Sequence, residues 1–146
     1  MATFTLFSKA RKNIGLGKIS FGVDTFKVMA SDTTPDLLNN EVKADITEIA
    51  AGNGYTAGGI ALTSASWAET VPGSSGIWKF NSATPITWTA SGGPIAQFRY
   101  LILYDDTQAS PAKPLIGLLD YGSEVNITAG NTFTININAN GWFLES

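Results

Sequence analysis

The chain has 146 residues, 44% of them hydrophobic and only 14% charged, which is enough apolar material for a buried core and excludes a disordered chain. It contains no cysteine and no histidine, so disulfides, thiolate metal sites and imidazole general bases are excluded. Net charge is −3, but Lys9, Arg11, Lys12 and Lys18 crowd the first eighteen residues, which hold no acid, while the other five basic residues face all twelve acids, a balance of −7.

Residues 1–18 therefore read as a basic arm on an acidic body, either docked on an acidic partner surface or trailing in solvent. Phe4, Leu6 and Phe7 allow a short strand there, interrupted by Lys9 to Lys12 and two glycines. The basic residues follow the first apolar run instead of preceding it, the wrong order for a secretory signal. No apolar run approaches the length of a membrane span. These features predict a protein made and used without secretion and without a membrane contact.

Next, Ile19, Phe21 and Val23 alternate, and Phe26 and Val28 continue an apolar row, predicting one or two strands meeting at Gly22 to Asp24. The one convincing helix signal follows. Thr34 is placed as an N-cap, Pro35 stands at the first helical position, and Leu38, Val42, Ile46 and Ile49 fall on one stripe. Gly52 would end that helix, and Asp36, Glu41, Asp45 and Glu48 would mostly face water.

Everything after it is strand-like. Ile60–Trp67, Ile77–Phe80, Ile86–Ala90, Gln97–Tyr104 and Pro114–Tyr121 each read as strands, with turns at Pro72–Gly76 and Asn81–Pro85. Trp88 is predicted inward, with Thr87 and Thr89 outward; Gln97–Tyr104 is apolar on both faces apart from Arg99, as a central strand should be. Phe133, Ile135 and Ile137 would face the core, with Thr132, Thr134, Asn136 and Asn138 outside, and Asn140-Gly141 would turn the chain back through Trp142–Leu144. Seven to nine short strands with one helix predict a mainly β protein: an antiparallel β-sandwich or jelly-roll-like barrel, with residues 19–146 as a single domain behind the 1–18 arm.

Candidate chemistry is sparse. Gly54 to Gly59 has the glycine spacing of a phosphate loop, but Ile60 and Ala61 replace the Lys and Ser/Thr that would bind phosphate and magnesium. The expected element order, helix then glycines then strand, is also the reverse of a dinucleotide site. The segment instead predicts a helix cap followed by a turn in which side chains would clash. Asp105-Asp106 and Asp120 at strand ends would suit calcium or a glycosidase pair, but adjacent aspartates there more often cap their own turn. No serine or threonine has a histidine, cysteine or suitably spaced lysine to activate it, so the sequence predicts a protein that is not an enzyme and uses no cofactor or metal. Trp67, Trp78, Trp88 and Trp142 would serve as core or interface anchors, or as a platform on which sugars stack. The acidic body argues against nucleic acid.

Several pieces, in this order, resemble a family of small tailed-bacteriophage virion structural proteins. They are Asp24–Met29 with the acidic–apolar stretch behind it, Gly52–Thr63, Ile86–Ala90, Arg99–Asp105, Leu115–Gly122, and Phe133–Ile137 with Asn140-Gly141-Trp142-Phe143. The resemblance runs over most of the chain from about Ile19. It implies a capsid decoration or cement protein on the virion surface, assembled in the host cytoplasm, that binds the major capsid protein as a homo-oligomer, dimer or trimer. Alternatives are a carbohydrate- or receptor-binding module of a head fibre or tail, or a tail or connector component. The resemblance transfers no binding residues; the arm supplies the candidates, with Lys9, Arg11 and Lys12 docking an acidic capsid surface and Phe4, Leu6 and Phe7 as apolar anchors.

Overall fold

The computed structural model describes residues 3–83, 85–137 and 140–145. The expectations placed on Met1, Ala2, Thr84 and Asn138 fall outside the described residues.

The fold is mainly β and sandwich-like, with one short α-helix. Its elements are β1 (Thr3–Leu6), α1 (Ser8–Gly15), β2 (Phe26–Ser31), β3 (Ile60–Ala61), β4 (Ser66–Glu69), β5 (Trp78–Asn81), β6 (Ile86–Thr89), β7 (Ile95–Asp105), β8 (Leu115–Ile127), β9 (Thr132–Ile135) and β10 (Phe143–Glu145). A five-stranded sheet in the order β1-β8-β7-β2-β3 is antiparallel throughout. A three-stranded sheet, β10-β5-β4, and a two-stranded sheet, β6-β9, complete the structure.

Strand alternation gives the large sheet two buried faces. Phe26, Val28 and Ala30 of β2 and Leu101 and Leu103 of β7 pack with Phe80, Trp88, Phe133 and Ile135 of the small sheets. Met29, Tyr100, Ile102, Tyr104, Leu115 and Leu118 point the other way, where Phe7 and Ala10 cover them together with Leu37 and Ile46. Trp88 is buried with Thr87 and Thr89 outside, and Phe133 and Ile135 are buried, as their alternation predicts. β7 is the central strand expected for Gln97–Tyr104, extended to Asp105 and paired on both sides.

Three expectations are corrected. The segment from Thr34 to Ile49 is not an α-helix; it holds a turn at 37–39 and a 3-10 turn at Lys43–Asp45. Its aspartates explain why. Asp36 Oδ1 accepts from the Leu38 and Asn39 N–H groups, and Asp45 Oδ2 from those of Glu41 and Val42, so side chains take the donors a helix would need. The carbonyls and remaining N–H groups go to the sheet instead: Leu115 N–H donates to Glu41 O, Lys43 N–H to Lys113 O, and Ile49 N–H to Ala30 O. Thr34 caps nothing; its hydroxyl bonds the Tyr100 hydroxyl at 2.9 Å.

The one helix lies where an arm was expected. β1 pairs with β8 from Thr3↔Asp120 to Leu6↔Gly117, and α1 follows at once. Its lysines, arginine and alanine are good helix formers. The end is a Schellman arrangement, with Lys18 N–H on Asn13 O, Gly17 N–H on Ile14 O, and Gly17 at φ +69. Residues 3–18 thus belong to the folded domain, and no boundary falls at Ile19. Thirdly, Asn140-Gly141 does not fold β10 back on β9: β10 pairs with β5, Phe143↔Phe80 to Glu145↔Trp78.

Candidate binding site

α1 sorts the basic residues by helical angle. Lys9 and Lys12, three apart, share one edge, where Lys12 Nζ lies 2.6 Å from Glu41 Oε1. The Asn13 side-chain amide donates to the same oxygen at 3.1 Å. The Lys12 and Asn13 hydrogen bonds, with a further contribution from the Lys9 charge, hold the Glu41 carboxyl below its usual range. Arg11 lies about 130° around the helix from that edge and faces elsewhere. The expected trio of Lys9, Arg11 and Lys12 is therefore not one patch.

The expected apolar anchors are also committed. Phe7 is fully buried beneath α1, and Leu6 is half-buried against the core. Phe4 stacks on Phe143 (5.8 Å between centroids, 4° between planes) and meets Trp142 edge-on at 5.9 Å. Phe7, at the start of α1, is thus committed to the core, and Phe4 and Leu6 of β1 are partly buried against it.

Arg11, Ile14 and Gly15 form one wall of a groove of about 410 Å³. Phe21, Trp67 and Phe143 supply its aromatic surfaces, and Glu145 also lines it. The ring arrangement follows from strand register. Trp67, Phe80 and Phe143 form one cross-strand row, and Glu69, Trp78 and Glu145 form the next row on the same face. Trp67 stacks on Phe21 (5.0 Å, 23°) and on Trp78 (6.1 Å, 18°), so three near-parallel rings run outward from the core, of which Phe21 and Trp67 line the groove. Trp78, at the outer end, is 43% exposed. Glu69 is engaged in holding the turn after β4, where it accepts from Gly76 N–H at 2.7 Å and from Gly73 N–H. The side chains of Arg11 and Glu145 have no hydrogen-bond or ion-pair partner among the described residues. Of the four tryptophans, Trp88 and Trp142 are core, while Trp67 and Trp78 build this surface. Sequence reasoning missed Phe21, Phe143 and Glu145; pairing β4 with β5 across the Pro72-Gly73 turn would have placed the two tryptophans diagonally, but nothing local places β10 beside them.

The glycine-rich segment is structural. A Cβ on Gly59 (φ +77) would stand 1.8 Å from Val28 O, and one on Gly54 (φ +102) 2.0 Å from Thr89 O. Clash was the expectation, and it holds, although no helix precedes the segment. Glu48, expected to face water, anchors it: its Oε1 accepts from the Tyr55 hydroxyl and the Gly58 N–H, and its Oε2 lies 3.0 Å from Lys43 Nζ.

Asp105 caps the turn after β7, as read, whereas Asp120 lies inside β8 and not at its end, and Asp106 and Asp120 are in ion pairs. Asp105 Oδ1 accepts from Thr107 N–H at 2.8 Å, Asp106 meets Lys27 and Lys113 at 3.1 and 2.6 Å, and Asp120 takes Arg99 in a two-pronged pair at 2.8 and 3.1 Å. Asp105 is the exception in charge. It is fully buried and faces Asp24, and burial first, then that neighbour, push its carboxyl up to about 7. Asp24 moves the other way: burial alone would raise it, but its bonds to Asp105, Gln108 and Ser20 together hold it below the usual range.

Comparison with protein-family models, with curated proteins and with solved structures gives no match to this chain.

Proposed function

We propose that this chain is a non-enzymatic structural protein of a tailed-phage virion that decorates or cements the capsid by binding the major capsid protein, as a homo-oligomer. The sequence resemblance supports the class, and a rigid β-sandwich body suits a decoration role. One observation carries the docking assignment. α1 carries Lys9 and Lys12 on one edge and Lys18 follows in its C-terminal turn, on an otherwise acidic molecule, and of these three only Lys12 is ion-paired among the described residues. Lys9, Lys12 and Lys18 replace the expected arm as the docking group, held by a folded helix, so no ordering of a tail opposes binding.

The test is binding of the purified protein to shells assembled from the major capsid protein alone. Binding should saturate at a fixed ratio and weaken with added salt, because exposed charges are screened over about 10 Å at 0.1 M. The double substitution Lys9→Glu with Lys18→Glu should lower affinity about tenfold or more through like-charge contact. Equal occupancy by the wild type and the double variant would remove α1 from the interface, and no occupancy at all would remove the capsid reading.

A further inference from the structure

We propose that Asn140-Gly141 is a site of spontaneous covalent modification, at which the Asn140 side-chain amide is exchanged for a carboxylate through an intramolecular cyclic imide, with water as the only co-reactant. The chemistry needs no partner, so it is independent of the capsid reading.

The sequence has two Asn-Gly pairs, Asn53-Gly54 and Asn140-Gly141. In such a pair the glycine has no Cβ to hinder the approach of its own backbone nitrogen to the preceding side chain. At Asn140 the fold itself demands the glycine. Gly141 sits at φ +70, and a Cβ there would stand 2.3 Å from Phe80 O, the oxygen that accepts from Trp142 N–H at 2.8 Å. Asn140 is exposed, in the turn that leads into β10, so water has access to the reacting group.

The step balances without an oxidant or a reductant. Gly141 N loses its proton to solvent base and attacks Asn140 Cγ. The new N–Cγ bond closes a five-membered ring, the Cγ–Nδ2 bond breaks, and the nitrogen takes up a proton from solvent and leaves as ammonia. Water then opens the ring at either of its two carbonyls. Opening at Cγ restores the ordinary chain with an aspartate; opening at the main-chain carbonyl leaves an isoaspartate, in which the chain runs through Cβ and Cγ.

Asn53 shows how the fold protects the other pair. Its Nδ2 donates to Pro94 O at 2.9 Å, and its carbonyl accepts from Ser91 N–H at 3.0 Å. Gly52 and Tyr55 bond each other in both directions across it, at 2.8 and 3.0 Å. Ring closure there would pull the leaving nitrogen off Pro94 O and twist a peptide that is held on both sides.

The two products at Asn140 differ in consequence. Both add one negative charge, but isoaspartate also adds a methylene to the main chain immediately before Trp142 N–H, which bonds Phe80 O, and Phe143, which pairs with Phe80. That insertion displaces β10, an edge strand whose Phe143 lines the aromatic groove.

The experiment incubates the full chain in mildly alkaline buffer and follows its peptides by mass spectrometry, with isoaspartyl methyltransferase labelling to detect the rearranged linkage. The Asn140 peptide should gain the mass of an NH-to-O exchange as a mixture of aspartate and isoaspartate. It should do so about tenfold faster than the Asn53 peptide or more, the factor that two hydrogen bonds impose on a barrier. In urea the two peptides should convert at similar rates, because the local chemistry is shared and the fold is gone. Asn140→Gln, which would have to close a larger ring, should abolish the change at that position with an unaltered circular dichroism melt. The aged isoaspartyl fraction should melt below fresh protein, whereas Asn140→Asp, which carries the charge without the extra methylene, should melt with it. An unconverted Asn140, conversion of Asn53 as fast as Asn140 in the folded chain, or equal protection of Asn53 in urea would each overturn the proposal. An isoaspartyl fraction that melts like fresh protein would overturn the displacement of β10.

Discussion

Asp105 ends β7 with no solvent exposure, and its Oδ2 has no hydrogen-bond donor among the described residues. It faces the Asp24 carboxylate, which accepts from Ser20 N–H at 2.9 Å and from the Gln108 amide at 2.8 Å. The Asp105 carboxyl, raised to about 7, is protonated in the folded state at mildly acid pH and donates toward its neighbour. A carboxyl raised on folding contributes stability that is fully present below its unfolded value near 4 and is lost as pH rises through about 7. Stability from this residue therefore falls between pH 4 and pH 7. Asp24, held low, has the opposite sign, but its stability is lost only under more acid conditions, as pH falls below 4. Asp105→Asn supplies an uncharged donor in place of the shared proton. It should leave stability near pH 4.5 almost unchanged and raise it by on the order of 1–2 kcal/mol at pH 8. Urea unfolding at the two pH values measures the difference, and equal effects at both would show that Asp105 carries no buried charge.

The elements show where sequence patterns decide structure and where they do not. β6 and β9 were legible because alternation over four residues fixes which face is buried, and Trp88, Phe133 and Ile135 obey it; β7 was legible because it is apolar on both faces, as a central strand is. The stripe Leu38, Val42, Ile46 and Ile49 gave the wrong element: Leu38 is exposed, and Ile46 and Ile49 pack on the two cores from an irregular segment whose backbone bonds Lys113, Leu115 and Ala30. Asp36 and Asp45, which bond the backbone locally, were the contrary signal. α1 was hidden by its charge: four cations in the first eighteen residues were read as a basic arm docked on an acidic partner or trailing in solvent, while Ala10, Asn13 and the Gly17 cap carry the helical pattern. The groove was only half legible, since Trp67 and Trp78 stand out but Phe21, Phe143 and Glu145 reach them through long-range pairing. The glycine segment supplies a contrast at this scale. Gly59→Ala, forced against Val28 O at positive φ, should cost about 2–4 kcal/mol by displacing β3 from β2. Gly58→Ala, whose Cβ would meet only the Tyr104 hydroxyl at 3.4 Å, should cost about 1 kcal/mol. Denaturant midpoints of the pair test this, and equal costs would remove the steric account of Gly59.

For the whole molecule, the N-terminal segment cannot be removed as an appendage. Deleting residues 1–12 strips an edge strand from the large sheet and takes Phe7 and Ala10 from the core. Loss of one buried Phe alone costs about 3–5 kcal/mol, against a total stability of about 5–15 kcal/mol for a domain. The truncated chain should show no cooperative thermal transition, and a normal melt would show that β1 and α1 are dispensable. Surface reversals such as Lys9→Glu are therefore the informative probes of docking, because a truncation confounds binding with unfolding.

The stacking of Phe4 on Phe143 joins β1 to β10, at opposite ends of the described residues, and β1 itself pairs only with β8. Such distant partners set the timing of folding during synthesis. A chain still emerging from the ribosome holds its first strand without a neighbour until β8 appears, and without its stacking ring until β10 appears. The domain can close only once nearly all of it has been made, and closure then waits on long-range pairings, the slow kind. Until that moment α1 has no sheet beneath it, and the groove has only one wall.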